Sequence, residues 1–267
     1  MKVWMTTDLE GVSGVTQVNQ SFPDRHRYEP ARLSLTRDVN AAVLGARDAG
    51  ATDIIVLDGH GGNSGYNFVY EELVDGAKYQ LGSPRTRYCE GLTPDTHCVF
   101  AVGYHAMAGT RAAVLDHTQS SMSIINIRLN GQLVGELGME AYVAGHYGVP
   151  VALVTGDDKV CLEARGLIGD EVVTACVKWS AKRQSALCLA PGEARALIRE
   201  KAAQAVKAAK GIKPLKLDGP AELRVEYLRT EMCEHFWGRR DVEMPDPRTV
   251  VFRGANALEV MNAYCGY

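Results

Sequence analysis

Several hydrophobic segments of this chain run out into acidic or imidazole side chains. Asp8 and Glu10 follow Val3–Thr6, His60 follows Ile54–Leu57, His105 follows Val99–Val102, and Asp157 and Asp158 follow Val151–Val154. Carboxylates and imidazoles are the oxygen and nitrogen ligands that divalent cations take. In a parallel α/β sheet all strand carboxyl ends open on one edge, and ligands bind there. Side chains distant in sequence would then meet in one crevice. The chemistry this points to is metal-assisted hydrolysis.

Each candidate has a plainer reading beside the chemical one. Asp8 and Glu10 are spaced by one residue, so in extended backbone both carboxylates point to one side. Alone, they would also serve as solvated loop acids. His60 lies in Asp58-Gly59-His60-Gly61-Gly62, where glycines let backbone approach a ligand and Asp58 could fix the ring. The alternative is a surface histidine. His105 and His117 bracket one loop, which suits one as a ligand and the other as a proton carrier, because imidazole titrates near neutrality. Otherwise His117 is a loop residue bonded to Asp116. Glu136 opens a helix between Gly135 and Gly138; it complements the helix dipole or, given those glycines, approaches a metal. One of Asp157 and Asp158 is expected to cap the next helix and the other to face the cleft. His26, His97, His146 and His235 lack a strand-end setting. No P-loop, no dinucleotide-type glycine motif after a strand, no G-x-S-x-G and no H-E-x-x-H occurs, which disfavours nucleotide binding, serine hydrolysis and helix-borne zinc peptidases.

The elements that would hold these residues alternate between strand and helix. Strands are predicted at Lys2–Thr6, Asp53–Leu57, Lys78–Leu81, His97–Val102, Val151–Val154 and Val172–Val177, with helices at Pro30–Ala49, Glu136–Tyr147 and Lys159–Leu167. Met122–Leu129 alternates weakly, and Asn130-Gly131 signals a hairpin returning through Gln132–Val134. Later come a helix over Pro191–Lys210, a linker at Pro214–Pro220, strands at Leu223–Tyr227 and Thr249–Phe252, and a helix at Ala255–Tyr264. The expected fold is α/β: a largely parallel sheet flanked by helices, with a smaller C-terminal α+β part. Residues 1–180 would form the metal-binding catalytic domain and residues 181–267 the smaller part, across a soft boundary near residues 178–190.

Composition narrows the classes. With 29 basic and 32 acidic residues the net charge is −3, so no basic stripe marks a nucleic-acid partner. No apolar run reaches membrane-spanning length, and the chain enters its first strand without a leader, so a cytoplasmic protein is expected. Cysteines stand at positions 89, 98, 161, 176, 188, 233 and 265, an odd count without a C-x-x-C pair. A disulfide framework or zinc–thiolate knot is therefore not expected, and any metal would be held by oxygen and nitrogen.

Taken together, Thr7-Asp8-Leu9-Glu10-Gly11-Val12-Ser13-Gly14, Asp58-Gly59-His60-Gly61, Gly103-Tyr104-His105-Ala106, Leu115-Asp116-His117-Thr118 and Val134-Gly135-Glu136-Leu137-Gly138 resemble the zinc-dependent D-aminopeptidases of the bacterial dipeptide-transport operon type. Tyr28-Glu29 with Arg32-Leu33, Ala141-Tyr142-Val143-Ala144-Gly145 and Val154-Thr155-Gly156-Asp157-Asp158 extend the likeness over most of residues 1–180. The resemblance implies two Zn²⁺ ions per subunit, held by Asp8, Glu10, His60, His105 and Glu136, with Asp8 bridging. It implies His117 as the catalytic residue, either nucleophile or general acid/base. It implies hydrolysis of the N-terminal residue, by preference a D-residue, from a short peptide or aminoacyl amide. It also implies a homo-oligomer, a ring-shaped decamer, with neither nucleic acid nor membrane as partner. Read from residues alone, other functions stay open: a metal-dependent amidase on another small amide, a metallophosphoesterase with Arg111 as phosphate ligand, or a non-enzymatic small-molecule binding or assembly protein whose acids cap helices.

Overall fold

The computed structural model describes residues 1–267. In chain order the elements are β1 (Lys2–Thr7), α1 (Tyr28–Asp48), β2 (Asp53–Asp58), β3 (Lys78–Gln80), β4 (Cys98–Tyr104), β5 (Ile124–Leu129), β6 (Gln132–Leu133), α2 (Glu136–His146), β7 (Val151–Asp157), α3 (Asp158–Ile168), β8 (Val173–Lys182), β9 (Ser185–Cys188), α4 (Pro191–Ala208), β10 (Ala221–Tyr227), β11 (Glu243–Asp246), β12 (Thr249–Gly254) and α5 (Ala257–Cys265). The large sheet has the order β3-β2-β1-β4-β7-β8-β9. All its pairings are parallel except the β8–β9 hairpin. A second, antiparallel sheet has the order β11-β12-β10-β5-β6.

The central strands are hydrophobic without a break because both sheet faces are covered. Val3, Met5, Phe100 and Val102 share a core with α1 and α4 on one face, while Trp4, Val99 and Ala101 belong to a core built with α2, α5 and the second sheet on the other. The β5–β6 turn places Asn130 and Gly131 at φ 46° and 83°, the double positive-φ geometry that a two-residue hairpin demands.

The two sheets do not divide at one chain position. β5 and β6 join the second sheet from the first half of the chain, and the segment at 178–190 covers the end of β8, the hairpin turn and β9 of the large sheet. Strands β9 and β11 have no expectation from the sequence; both are short, exposed edge strands with little apolar alternation. The strand order itself positions a site. From β1 the chain goes to β2 on one side and returns to β4 on the other, so a crevice opens beyond the carboxyl ends of β1 and β4.

Candidate metal centre

Asp8 and Glu10 leave β1 into this crevice, His60 lies two residues beyond β2, and His105 directly follows β4. Backbone contact draws these loops together. Asp8 N donates to Val102 O at 2.9 Å and Gly11 N to Gly103 O at 2.8 Å. A Cβ on Gly11 would sit 1.8 Å from Tyr104 O, and one on Gly103 would sit 2.3 Å from Asp8 O. Glycine at both crossing points is thus what lets the Asp8–Glu10 turn lie against the end of β4. Glu136 reaches the same crevice from the first turn of α2.

Two ligand sets result: Asp8, Glu10 and His60 in one, and His105, His117 and Glu136 in the other. Asp8 joins them. Its Oδ1 is 3.0 Å from His60 Nδ1, and its Oδ2 is 3.1 Å from His105 Nε2. Glu10 Oε2 is 3.2 Å from His60 Nδ1. Glu136 Oε1 lies 3.4 Å from His105 Nε2 and 3.6 Å from His117 Nε2. The His105 and His117 rings stack, with centroids 3.9 Å apart.

The far nitrogen of each ring is tied to a backbone carbonyl. His60 Nε2 donates to Ser21 O at 2.8 Å, His105 Nδ1 to Ala106 O at 2.9 Å, and His117 Nδ1 to Leu115 O at 2.8 Å. A carbonyl only accepts, so each of these nitrogens carries the hydrogen. In the neutral ring the inner nitrogen then presents a lone pair to carboxylate oxygens that also have only lone pairs. Asp8 Oδ2, Glu10 Oε2 and His105 Nε2 are buried without a hydrogen-bond partner. Lone pairs converging in a buried cluster need a positive charge between them. An imidazole tautomer fixed from behind by a carbonyl is the arrangement that metal-binding histidines use. The donor set, all oxygen and imidazole nitrogen, fits zinc.

Electrostatics says the same. Burial opposes charge on every member, yet the Glu10 and Asp8 carboxylates hold His60 well above the usual histidine range, and Glu136 and Asp8 do so for His105. Burial would likewise raise Glu136, but His105 and His117 outweigh it and bring its carboxyl to about 2. The cluster attracts cations.

His117 sits in a loop with stored strain. Leu115 and Gln119, two residues to either side, have φ values of 51° and 63°, left-handed backbone that non-glycine residues seldom adopt. The compensation is visible: Gln119 N donates to Glu136 Oε1 at 2.7 Å, and Leu115 N to Arg183 O at 2.8 Å. Asp8, Glu10, His60, His117 and Glu136 line one cavity of about 410 Å³, whose walls also include Val18, Phe22, Met122 and Arg183. His105 lies beneath it, only 1 % of its side chain exposed.

Supporting roles differ from the expectations in three places. Asp58 does not touch the His60 ring. Its carboxylate accepts from the Asn67 backbone and side-chain amides, and Asn67 in turn donates to His60 O, so Asp58 shapes the loop while Ser21 O fixes the ring. Asp157 caps α3 through Val160 N, and its other oxygen accepts from Val114 N at 3.1 Å, bracing the loop that leads to His117. Asp158 pairs with Lys159 and accepts from Ser180 N rather than facing the cleft. Arg111 does not line the cavity.

Two buried braces lie under the site. Lys178 Nζ donates to the carbonyls of Glu10, Val12 and Val15 at 2.6, 2.9 and 2.5 Å, gripping the loop that carries Glu10. Thr6, Tyr104 and Glu140 form a hydrogen-bonded triangle. These residues belong to β1, β4 and α2, just before Asp8, just before His105 and one helical turn after Glu136. Burial, then the charges of Glu136 and Asp8, raise the Glu140 carboxyl to about 8. Two sequence signals bear on these braces: a lysine in the middle of a strand, and a pair of glutamates spaced i,i+4 on one helix face, where like charges repel.

A doubly wound sheet with carboxylate–imidazole clusters at its switch point describes a class of metal-binding enzyme folds. Comparison with known proteins narrows it. A sequence model of the peptidase M55 family, described as D-aminopeptidase, matches residues 1–265. The D-aminopeptidase of Bacillus subtilis (strain 168) is 35% identical over 265 residues, covering 98% of this chain and 95% of that protein. The solved structure of the Zn-dependent D-aminopeptidase DppA from Bacillus subtilis, described as a self-compartmentalizing protease, matches with a TM-score of 0.92 at 32% identity, over 99% of this chain and 95% of that one. This chain belongs to the M55 D-aminopeptidase family.

Proposed function

We propose that this chain is a zinc-dependent aminopeptidase that removes the N-terminal residue, by preference a D-residue, from short peptides or aminoacyl amides. The observation that carries the reading is the Asp8 carboxylate, whose two oxygens face two separate ligand sets. In this reading Asp8, Glu10 and His60 would hold one zinc ion, and His105 and Glu136, with Asp8 between the two sets, would hold the other. A bound zinc pair supplies Lewis acidity toward the scissile carbonyl and acidifies water. The chain's own groups do the rest. A free substrate amine at this centre would be held there through its lone pair, which restricts cutting to a terminus. His117, its Nδ1–H committed to Leu115 O, keeps Nε2 open to the cavity and carries the proton to the leaving amine.

The assembly proposed is a closed homo-oligomer, a ring-shaped decamer; support comes from the self-compartmentalizing description of the similar DppA structure. A cytoplasmic setting is proposed too, in keeping with seven unpaired cysteines; no helix is long and apolar enough to cross a membrane. A release assay on matched D- and L-aminoacyl amides and dipeptides, with added zinc or a chelator, tests the function. The expected result is zinc-dependent release favouring the D-series. Release indifferent to chelator, or none from any substrate, contradicts it.

A further inference from the structure

The cavity wall carries one cationic side chain, Arg183; every other charged or titratable lining group is an acid or histidine of the centre itself. Arg183 and Gln184 form the two-residue turn of the β8–β9 hairpin. The turn is pinned at both ends. Arg183 O accepts from Leu115 N at 2.8 Å, and Gln184 Oε1 accepts from Val18 N at 3.3 Å. The hairpin tip therefore spans two rim segments, one leading to His117 and one carrying Val18 and Phe22. The guanidinium is held as well. Its Nε donates to Asp116 Oδ1 at 3.2 Å and its Nη2 to Asp116 O at 3.4 Å, while Nη1 has no partner in the chain. About half of the side chain is exposed (46 %).

We infer that Arg183 receives the terminal carboxylate of the leaving residue, so that the preferred substrate is a dipeptide with a free C-terminus rather than an aminoacyl amide. This deepens the aminopeptidase reading and rests on it. That reading puts the substrate amine and scissile bond over the carboxylates, and the rest of the peptide must then run toward the walls. Along the wall, away from the metal ligands, a carboxylate finds no other cationic side chain to meet. Asp116 does not cancel the site, because it occupies the Nε side and holds the plane of the guanidinium. The free edge is what an arginine offers a carboxylate. Val18, Phe22 and Met122 leave an apolar flank for a side chain.

The test compares D-alanyl-D-alanine with its C-terminal amide, using the zinc-loaded protein and the variants Arg183→Leu and Arg183→Lys. Because the guanidinium is half exposed, the expected preference for the free acid in the wild type is about tenfold in KM. In Arg183→Leu the preference falls to near unity, and Arg183→Lys keeps part of it, with melting temperatures unchanged. Equal KM values for acid and amide in the wild type, or a preference that survives in Arg183→Leu, overturn the inference and leave the aminopeptidase reading intact. No release from either substrate overturns both.

Discussion

At the scale of single residues, the centre is organised by what its atoms cannot do for one another. His60, His105 and His117 have each spent one nitrogen on a backbone carbonyl, and the inner nitrogens face carboxylate oxygens. His117 differs from the other two: its Nε2 stands 3.6 Å from its nearest carboxylate oxygen and it borders the open cavity. That geometry suits a proton carrier better than a ligand. His117→Ala should lower kcat by about 10²- to 10⁴-fold, the usual worth of a positioned acid or base, while metal analysis still finds the full zinc content. Loss of one zinc equivalent in that variant would instead make His117 a ligand.

At the scale of elements, the braces decide whether ligands borne on separate loops stay in register. Lys178 satisfies three carbonyls with one buried ammonium, and burial lowers its pKa only to about 8, leaving it charged at neutrality. Lys178→Met strands those carbonyls. The metal-free variant should lose about 3 kcal/mol in urea unfolding, since each orphaned buried acceptor costs about 1–3 kcal/mol, and it should bind zinc more weakly. An unchanged unfolding midpoint would show that the loop stands without the lysine. Glu140 gives a pH signature. In the metal-free chain its carboxyl titrates near 8 folded against 4.5 unfolded. Between those values the folded state keeps a proton that the unfolded state releases, so its contribution falls as pH rises from 4.5 to 8 and is flat above. Glu140→Gln keeps the neutral form. It should match the wild type near pH 4.5 and exceed it by about 3 kcal/mol at pH 8, at about 1.4 kcal/mol per pH unit discounted for partial exposure. Identical pH profiles would refute a protonated Glu140.

Most of these elements were legible in the sequence. Buried parallel strands announce themselves as apolar runs, and Asn130-Gly131 announces its turn, because in both cases the cause is local. The placement of Asp8, His60 and His105 in one crevice also followed from local signs, since strand ends in a parallel sheet share an edge, whereas Glu136, at a helix start, was placed with them by the family resemblance. What stayed hidden depends on distant partners. Ser21 O, rather than Asp58, fixes the His60 ring; Lys178 reaches the β1 loop from β8; Arg183 reaches the cavity from a hairpin tip. None of these contacts leaves a periodicity, and the short exposed strands β9 and β11 carry no apolar pattern to read.

At the scale of the whole molecule, the proposed ligands come from four stretches of chain around residues 8–10, 60, 105 and 136, borne on β1, β2, β4 and α2. Metal binding there would staple the switch point of the large sheet, and binding free energy would become folding free energy. At zinc concentrations of 100 times Kd the stabilisation is about 2.7 kcal/mol for each ion bound. For a chain of this size that corresponds to a rise in Tm of about 5–10 °C per ion, reversed by chelator in a calorimetric scan. An unchanged Tm would mean that the ligand sets do not bind metal in the folded chain.

The bridging role of Asp8 is the centre of the account, and zinc content per chain tests it most directly. Wild-type protein equilibrated with zinc and then desalted should carry two ions per chain by elemental analysis, whereas Asp8→Ala, still folded by circular dichroism, should carry close to none. Two ions retained without Asp8, or none bound by the wild type, would contradict it.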